Sequence, residues 1–307
     1  MTHSILQAIG NTPLVQLQKI PPPGCASIFV KLEYLNPTGS YKDRMALSII
    51  EQAEKRGDLR PGMTVVENTG GSTGTSLAFV CTIKGYPFKA VSSDAFAKEK
   101  LRAIQLFGGD LEILPSDNGK ITPDLIPKMV ARAKEIAEQE RAYWTSQFEN
   151  RDALIGYRNI GKEILQQMPQ HPTVFCAAVG TGGMVTGTSQ ALKEADPSIR
   201  VVILEPASAP LISTGQGGSH KVEGIGVGLL PPLLKEARYD EVRPIEESHA
   251  RAMAKRLAAE EGIFAGTSTG LNIAAALQLG QELGPGHSVV TVAVDSGLKY
   301  LSGGLFD

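Results

Sequence analysis

Short apolar runs rich in β-branched residues alternate with longer segments of helical spacing along most of this 307-residue sequence. The strand-like runs at residues 173–179 and 289–294 are almost entirely apolar, which is typical of strands covered on both faces of a parallel sheet. Several helical segments end in glycine, a common helix terminus. The alternation predicts an α/β fold of two domains, whose twisted, mostly parallel sheets are flanked by helices.

Charge, cysteine and hydropathy patterns exclude several classes of protein. The 30 Lys and Arg residues nearly balance the 32 Asp and Glu residues, which argues against a nucleic-acid-binding chain. Cys25, Cys81 and Cys176 lie far apart, and the five histidines show no ligand spacing, so we expect no disulfide framework and no metal site. The N-terminus lacks a signal-peptide pattern, and no apolar run is long enough to span a bilayer, so we predict a cytoplasmic protein without membrane contact.

Glycine makes up 33 of the 307 residues, and one cluster of it lies between a strand and a helix. Residues 180–187 read Gly-Thr-Gly-Gly-Met-Val-Thr-Gly, a loop whose free N–H groups at a helix start would attract a phosphate. A dinucleotide fingerprint would need glycine at Val185, yet Glu205 after the next strand could still bind a ribose. A phosphate cup is therefore favoured, while an NAD site and a tight turn without any ligand remain alternatives.

A second glycine loop, residues 68–74, also joins a strand to a helix. It reads Asn-Thr-Gly-Gly-Ser-Thr-Gly, and no lysine follows its last glycine, so the P-loop pattern for nucleotide phosphates is absent. Small hydroxyl side chains and exposed N–H groups suit a carboxylate. The alternative is a plain helix cap formed by Ser72 or Thr73.

Lys42 stands in a third segment, residues 36–44. Ser40 and Asp43 have the spacing of a capping box, which places Lys42 in the first turn of a helix. The helix dipole is positive there, so a lysine ammonium is disfavoured and becomes a candidate for Schiff-base chemistry. A solvated surface lysine is the alternative interpretation.

A lysine, a phosphate cup and a carboxylate loop are together the parts that pyridoxal phosphate needs to act on an amino acid. The sequence resembles the cysteine synthase (O-acetylserine sulfhydrylase) branch, close to cystathionine β-synthase, of the fold type II pyridoxal-phosphate enzymes, which are similar to the tryptophan synthase β subunit. The resemblance runs nearly end to end. Its segments are residues 9–14, 36–44, 69–74, 147–148, 180–187, 220–228, 260–263, 295–297 and 300–302.

The resemblance implies a role for each matching residue. Lys42 is the catalytic residue, which holds pyridoxal 5'-phosphate as an internal aldimine and acts as the general base. The residues expected to bind the cofactor are Lys42, Ser72, Gly180, Thr181, Gly182, Gly183, Met184 and Ser268. Those expected to bind the substrate carboxylate are Thr69, Gly70, Gly71, Thr73 and Gln147.

The implied reaction is β-replacement on an O-activated serine, in which O-acetylserine and sulfide give cysteine through an aminoacrylate. The alternative is β-elimination, as in a cysteine desulfhydrase or a serine/threonine dehydratase. A non-catalytic relative is disfavoured, because Lys42 and the phosphate cup are both present. The family precedent is a homodimer. We expect a larger cofactor-binding domain from residues 1–39 and 146–307, and a smaller domain from residues 40–145 that carries the carboxylate loop.

Four positions depart from the pattern of the family. The carboxylate loop usually reads Thr-Ser-Gly-Asn-Thr-Gly, whereas Gly70 replaces its serine and Ser72 replaces the asparagine that normally bonds the ring oxygen of the cofactor. Met184 stands where a phosphate-binding threonine is common, and Tyr157 replaces a histidine. The departures concern the substrate more than the cofactor.

Overall fold

A computed structural model describes residues 4–122 and 124–301 of the chain. They form two compact units. The first unit contains the described part of Met1–Ile9 together with Lys42–Gly156. The second contains Gly10–Tyr41 and the described part of Tyr157–Asp307.

Strands and helices alternate as predicted. The strands, in chain order, are β1 (Leu14–Gln16), β2 (Ser27–Leu32), β3 (Val65–Asn68), β4 (Phe88–Ser93), β5 (Asp110–Leu114), β6 (Tyr143–Trp144), β7 (Val174–Ala178), β8 (Arg200–Pro206), β9 (Glu241–Ile245) and β10 (Ser288–Ala293). The helices are α1 (Lys42–Arg56), α2 (Ser72–Lys84), α3 (Lys98–Leu106), α4 (Leu125–Gln139), α5 (Asp152–Gln167), α6 (Gly183–Ala195), α7 (Leu211–Thr214), α8 (Glu247–Glu261) and α9 (Thr267–Leu283). Short 3₁₀ helices cover Ile5–Ala8, Glu33–Leu35, Pro232–Glu236 and Gly297–Tyr300.

The first unit is built on a four-stranded sheet in the order β5-β4-β3-β6, and its strands are parallel. Successive residues of β3 face opposite sides of this sheet, so every second residue shares a side. Val65 belongs to a core cluster with residues of α1 and α2, whereas Val66 belongs to a cluster with residues of α4. Glu67 therefore shares the side of α1 and α2, and Asn68 shares the side of α4.

The second unit is built on a six-stranded sheet in the order β1-β2-β10-β7-β8-β9. Its strands are parallel except for the pair of β1 and β2, which is antiparallel. All residues of β7 are buried, as its apolar sequence predicts. Because the carboxyl ends of parallel strands meet at one edge of a sheet, the loops after β7 and β10 lie at the same edge. The predicted α/β fold with mostly parallel sheets is confirmed.

Three strands were absent from the sequence-based prediction, namely β1, β6 and β9. Each lies at an edge of its sheet, where one side of the strand forms no ladder. β9 carries two charged residues and Pro244, which an edge strand tolerates because only one side of its backbone must pair. Their short or polar sequences show no strand periodicity, so only the tertiary pairing defines them.

Candidate active site

Lys42 begins α1, so it lies in the first helical turn as predicted. Its side chain is largely buried, with 8% relative exposure, and the next two residues, Asp43 and Arg44, are buried as well. The surface-lysine alternative is therefore wrong. Charged groups are costly to bury without compensation. In the same unit, burial raises the pKa of Glu67 to about 7, and the positive charge of Lys42 opposes this by favouring the ionised carboxylate.

The carboxylate loop is organised by Thr69. Its Oγ1 accepts hydrogen bonds from the N–H groups of Gly71 (2.9 Å) and Gly74 (3.0 Å). Helix α2 begins at Ser72, and the residue that precedes it, Gly71, has a φ of 139° and no side chain to cap the helix. The alternative of a plain cap by Ser72 or Thr73 is therefore wrong, since the hydroxyl of Thr69 fills that role from outside the helix.

Thr73 and Gln147 are brought together in the first unit, although 74 residues separate them. The hydroxyl of Thr73 donates to Oε1 of Gln147 at 2.7 Å. The Nε2 of Gln147 donates to the carbonyl of Asn68 at 2.8 Å. The segment after β6 and the loop after β3 thus form one hydrogen-bonded structure.

Sequence reasoning missed Glu67, which supports this structure. Its carboxylate accepts from the hydroxyl of Thr145 (2.6 Å) and from the backbone N–H of Gln147 (2.9 Å). Desolvation raises the pKa of Glu67 to about 7, against the effect of these hydrogen bonds and of the charge of Lys42. The signal that could have found it is a carboxylate at the end of an apolar strand, directly before a glycine loop.

Two side chains from the segment around α3 pack on the glycines of the carboxylate loop. A Cβ atom added to Gly70 would lie 2.8 Å from Cε1 of Phe96, and one added to Gly71 would lie 2.5 Å from Cβ of Lys100. Lys100 is buried, with 8% exposure, and Phe96 packs against both core clusters of the unit. The glycine at position 70, where the family has serine, is therefore coupled to the aromatic ring of Phe96.

The glycine loop of the second unit has the backbone of an anion cup. A Cβ atom on Gly180 would lie 2.4 Å from the carbonyl oxygen of Gly224, so only glycine fits there. Helix α6 begins at Gly183, and the preceding Gly182 adopts a left-handed conformation (φ 82°) without a side-chain cap. The N–H groups of the first helical turn are left for an anion, because no side chain caps the helix.

Met184 and Tyr157, two of the departures from the family pattern, are both buried in the second unit. The sulfur of Met184 accepts from the hydroxyl of Thr188 at 3.7 Å, so its side chain lies along the helix. The ring of Tyr157 lies 3.2 Å from the position of a Cβ atom on Gly183. It also packs on Tyr41, with ring centroids 5.5 Å apart.

Ser268 lies within the first turn of α9, at 2% exposure. Helix α9 is preceded by Gly266, so Ser268 lies inside the helix and does not cap it. One turn later, the fully buried Asn272 accepts from the N–H of Ala178 and donates to the carbonyl of Val292, both at 2.8 Å. Asn272, also missed from the sequence, fixes the start of α9 to the ends of β7 and β10.

A family model described as pyridoxal-phosphate dependent enzyme matches residues 5–295. The chain belongs to this family. A cysteine synthase of Staphylococcus aureus (strain N315) is 39% identical over 306 residues, which cover 99% of this chain and 96% of the relative. A crystal structure of an O-ureido-L-serine synthase has a TM-score of 0.92 and 37% identity, and the match covers 100% of this chain and 96% of that one. For a hydrogen sulfide-producing enzyme of Fusobacterium nucleatum the TM-score is 0.90 and the identity 34%, over 98% of this chain and all of the other.

The chain is therefore a pyridoxal-phosphate enzyme related to the cysteine synthases, and the predicted cofactor and family are confirmed. The NAD alternative is wrong. Both oxygens of Glu205, its expected ribose ligand, accept backbone N–H groups, from Ile212 at 2.7 Å and from Ser213 at 3.0 Å. Glu205 thus caps α7.

The predicted site residues of each unit are compatible with binding pyridoxal phosphate. In the second unit, the cradle at Gly180 and Gly182 would be filled by any Cβ atom, which leaves its backbone open to a phosphate group. Each unit holds part of the predicted site. The first contains Lys42, Thr69, Gly70, Gly71, Ser72, Thr73 and Gln147, and the second contains Gly180, Thr181, Gly182, Gly183, Met184 and Ser268.

Two other features are absent from the described residues, a metal-binding group and a membrane-spanning helix. Within residues 4–122 and 124–301, no group of three or more His, Cys, Asp or Glu side chains could hold a metal ion. In the same part of the chain, no helix is both long and apolar enough to cross a membrane.

Proposed function

We propose that this enzyme catalyses β-replacement on an O-activated serine, with O-acetylserine and sulfide as the substrates and cysteine as the product. The observation that carries the proposal is the near full-length relationship to a cysteine synthase. The carboxylate loop supports it, because the hydrogen bonds that Thr69 accepts and the one from Thr73 to Gln147 order the residues expected to bind an amino-acid carboxylate.

The proposed roles in cofactor binding are those implied by the resemblance to the family. Gly180, Thr181, Gly182, Gly183 and Met184 bind its phosphate, Met184 through its backbone N–H alone. Ser268 would hold the pyridine nitrogen, Ser72 would hold the ring oxygen, and Lys42 would bond the cofactor covalently. When bound, pyridoxal phosphate supplies the electron sink that stabilises negative charge at the substrate Cα.

The protein contributes positioning and proton transfer. Thr69, Gly70, Gly71, Thr73 and Gln147 bind the substrate carboxylate and so orient the Cα–H bond. The Nζ atom of Lys42 removes the Cα proton and later returns it, as a general base and then a general acid. The partial burial of Lys42, at 8% exposure, limits its contact with water and keeps this proton at the site.

β-Elimination is the second candidate, and the structural match to a hydrogen sulfide-producing enzyme favours it. The same residues would remove the proton and expel the β-substituent, without a second nucleophile. The absence of a serine hydroxyl at Gly70 changes the loop that is expected to bind the substrate carboxylate. We retain cysteine desulfhydrase and serine/threonine dehydratase as the alternative activities.

The two reactions are separated by a substrate panel. The purified holoenzyme is mixed with O-acetylserine, O-phosphoserine, serine, threonine or cysteine, with and without sulfide, and the products are identified. We expect cysteine from O-acetylserine only when sulfide is present. Pyruvate or 2-oxobutyrate formed equally fast without sulfide would favour elimination.

The cofactor linkage is tested by Lys42→Ala. This variant is expected to lose the visible absorbance of the lysine-linked cofactor and its activity. Lys55→Ala, on the exposed surface of the same helix, is the control and is expected to retain both. A Lys42→Ala protein with unchanged absorbance would contradict the assignment of this lysine.

We further propose a homodimer in the cytoplasm, with residues 40–145 as the smaller domain and residues 1–39 and 146–307 as the larger one. The family precedent supports the dimer, and three free, well-separated cysteines suit a reducing compartment. Light scattering of the holoenzyme tests the dimer, and fractionation of the source cells tests the location. Limited proteolysis tests the domain bounds.

A further inference from the structure

Glu67 is a fully buried carboxylate at the carboxyl end of β3, an interior strand of its sheet. Alternation along the strand places it on the side of Val65, which is covered by α1 and α2. A carboxylate is costly to remove from water unless hydrogen bonds and charges compensate it. A packing role alone would be met at lower cost by an apolar residue.

Both oxygens of Glu67 accept hydrogen bonds. Oε2 accepts from the hydroxyl of Thr145 at 2.6 Å and from the N–H of Gln147 at 2.9 Å, and Oε1 accepts from the N–H of Asn68 at 2.9 Å. Thr145 and Gln147 are 78 and 80 residues away in the sequence. The carboxylate therefore ties the segment after β6 to the end of β3.

The connection continues from Gln147 into the substrate loop. Its side chain accepts from the hydroxyl of Thr73 at 2.7 Å and donates to the carbonyl of Asn68 at 2.8 Å. Thr73 lies in the first turn of α2. A rigid chain of hydrogen bonds thus runs from Glu67 through Gln147 to Thr73, within one unit of the protein.

Among the charged groups, Lys42 of α1 acts on Glu67, and a positive charge there favours the ionised carboxylate. Burial has the larger effect and raises the pKa of Glu67 to about 7. The first turn of α2 carries no acidic residue, and its only basic residue near an end is Lys84 in the last turn. The buried titratable residues of the two helices on this side include Asp43 and Arg44 of α1 and Cys81 of α2. On the neighbouring strands, Tyr143 of β6 pairs with Val65, and Ala90 of β4 pairs with Glu67.

We propose that Glu67 is a positioning residue for the amino-acid substrate: its carboxylate holds Gln147, and through Gln147 it holds Thr73, in the arrangement that binds the substrate carboxylate. The inference rests on the proposed function. When Glu67 is protonated, one of its oxygens carries a proton that points at an N–H or O–H donor. The hydrogen bonds that position Gln147 are then weakened. Substrate affinity therefore follows the ionisation of Glu67.

The test is Glu67→Gln, measured as the dissociation constant of cysteine, the proposed product, from the change in cofactor absorbance of the holoenzyme. The amide NH₂ of glutamine would face an N–H or O–H donor, so we expect affinity to fall by about tenfold at about pH 8. The affinity of the wild type is expected to show an additional fall as the pH decreases through about 7, the pKa of Glu67, and Glu67→Gln should lack this step. Equal affinities with the same pH profile would overturn the proposal.

Two further variants keep the test decisive. Glu205→Gln is the matched control, because Glu205 is also a buried carboxylate that accepts two backbone N–H groups, but it caps α7. We expect it to leave substrate affinity and its pH profile unchanged. Thr145→Val removes one donor to the ionised Glu67 and serves if Glu67→Gln does not fold. We expect it to move the midpoint of the pH profile upward, and an unmoved midpoint would overturn the proposal.

Amide hydrogen exchange distinguishes a failure of the role proposed for Glu67 from a failure of the proposed function. Amides of residues 145–147 are expected to exchange faster in Glu67→Gln than in the wild type, without any substrate present. A wild type that binds no amino acid would contradict the proposed function. Unchanged exchange at residues 145–147 would contradict only the role of Glu67.

Discussion

The ring of Phe96 lies where a side chain on Gly70 would have to be, since a Cβ atom there would be 2.8 Å from Cε1 of the ring. The loop cannot move away freely, because the hydroxyl of Thr69 holds the N–H groups of Gly71 and Gly74. A serine at this position, as in the family, therefore requires a different neighbour. The size of the residue at position 70 and the position of the Phe96 ring are therefore linked.

We expect Gly70→Ser to lower the free energy of unfolding by about 1–3 kcal/mol, the usual cost of overpacking. Adding Phe96→Ala to Gly70→Ser should recover part of that loss, because the alanine vacates the space that the serine needs. Urea unfolding of the two single variants and the double variant gives the coupling energy. Gly217→Ser, at a glycine with no atom within 4 Å of a Cβ position, is the control. Strictly additive losses would contradict the coupling.

Burial raises the pKa of Glu67 from its ordinary value of 4.5 to about 7, so folding favours its protonated form. The contribution of this group to stability is fully present below pH 4.5 and is lost as the pH rises through about 7. Relative to Glu67→Gln, which does not titrate, the wild type should lose about 3 kcal/mol of unfolding free energy across that range. Urea unfolding of both proteins as a function of pH measures it. A difference that is constant with pH would show that the pKa is not raised.

The side chain of Asn272 forms hydrogen bonds with backbone groups at the ends of β7 and β10. Its replacement would leave those backbone groups without these hydrogen bonds. Asn272→Ala removes the acceptor for the N–H of Ala178 and the donor to the carbonyl of Val292. We expect it to lower the free energy of unfolding by about 2–5 kcal/mol, because two buried backbone groups lose their partners. Gln281→Ala, on the exposed side of the same helix, should change stability by less than about 0.5 kcal/mol. Similar effects of both variants would contradict this role for Asn272.

Gly180→Ala tests the cup directly. Its Cβ atom would lie 2.4 Å from the backbone oxygen of Gly224, so the loop must shift to admit it. We expect the affinity for pyridoxal phosphate to fall by about tenfold or more, since a displaced loop no longer presents its N–H groups to the phosphate. Equilibrium dialysis or absorbance titration of the apoenzyme measures this affinity, with Gly217→Ala as the control. A variant that binds the cofactor as tightly as the wild type would remove Gly180 from the cup.

The sequence predicted the elements that surround the site better than the contacts inside it. The start of α1 at Lys42 followed from local spacing, because a helix start depends on residues within one turn. The cap of α2 did not, since it is the Thr69 hydroxyl that accepts the N–H groups, from a residue three positions before the helix. The assigned roles of Ser72, Met184 and Ser268 stay predictions, which ligand-binding experiments must test.

The sequence by itself determined the α/β class, the glycine loops and the membership of a pyridoxal-phosphate family, because periodicity and motif spacing depend on residues that are neighbours in the chain. Only the tertiary structure decided that Glu67 holds Gln147, that Phe96 fills the space beside Gly70, and that Asn272 joins two strands. Each of these contacts joins residues from different segments of the chain. Their meeting depends on strand register and helix packing, which local sequence patterns do not encode.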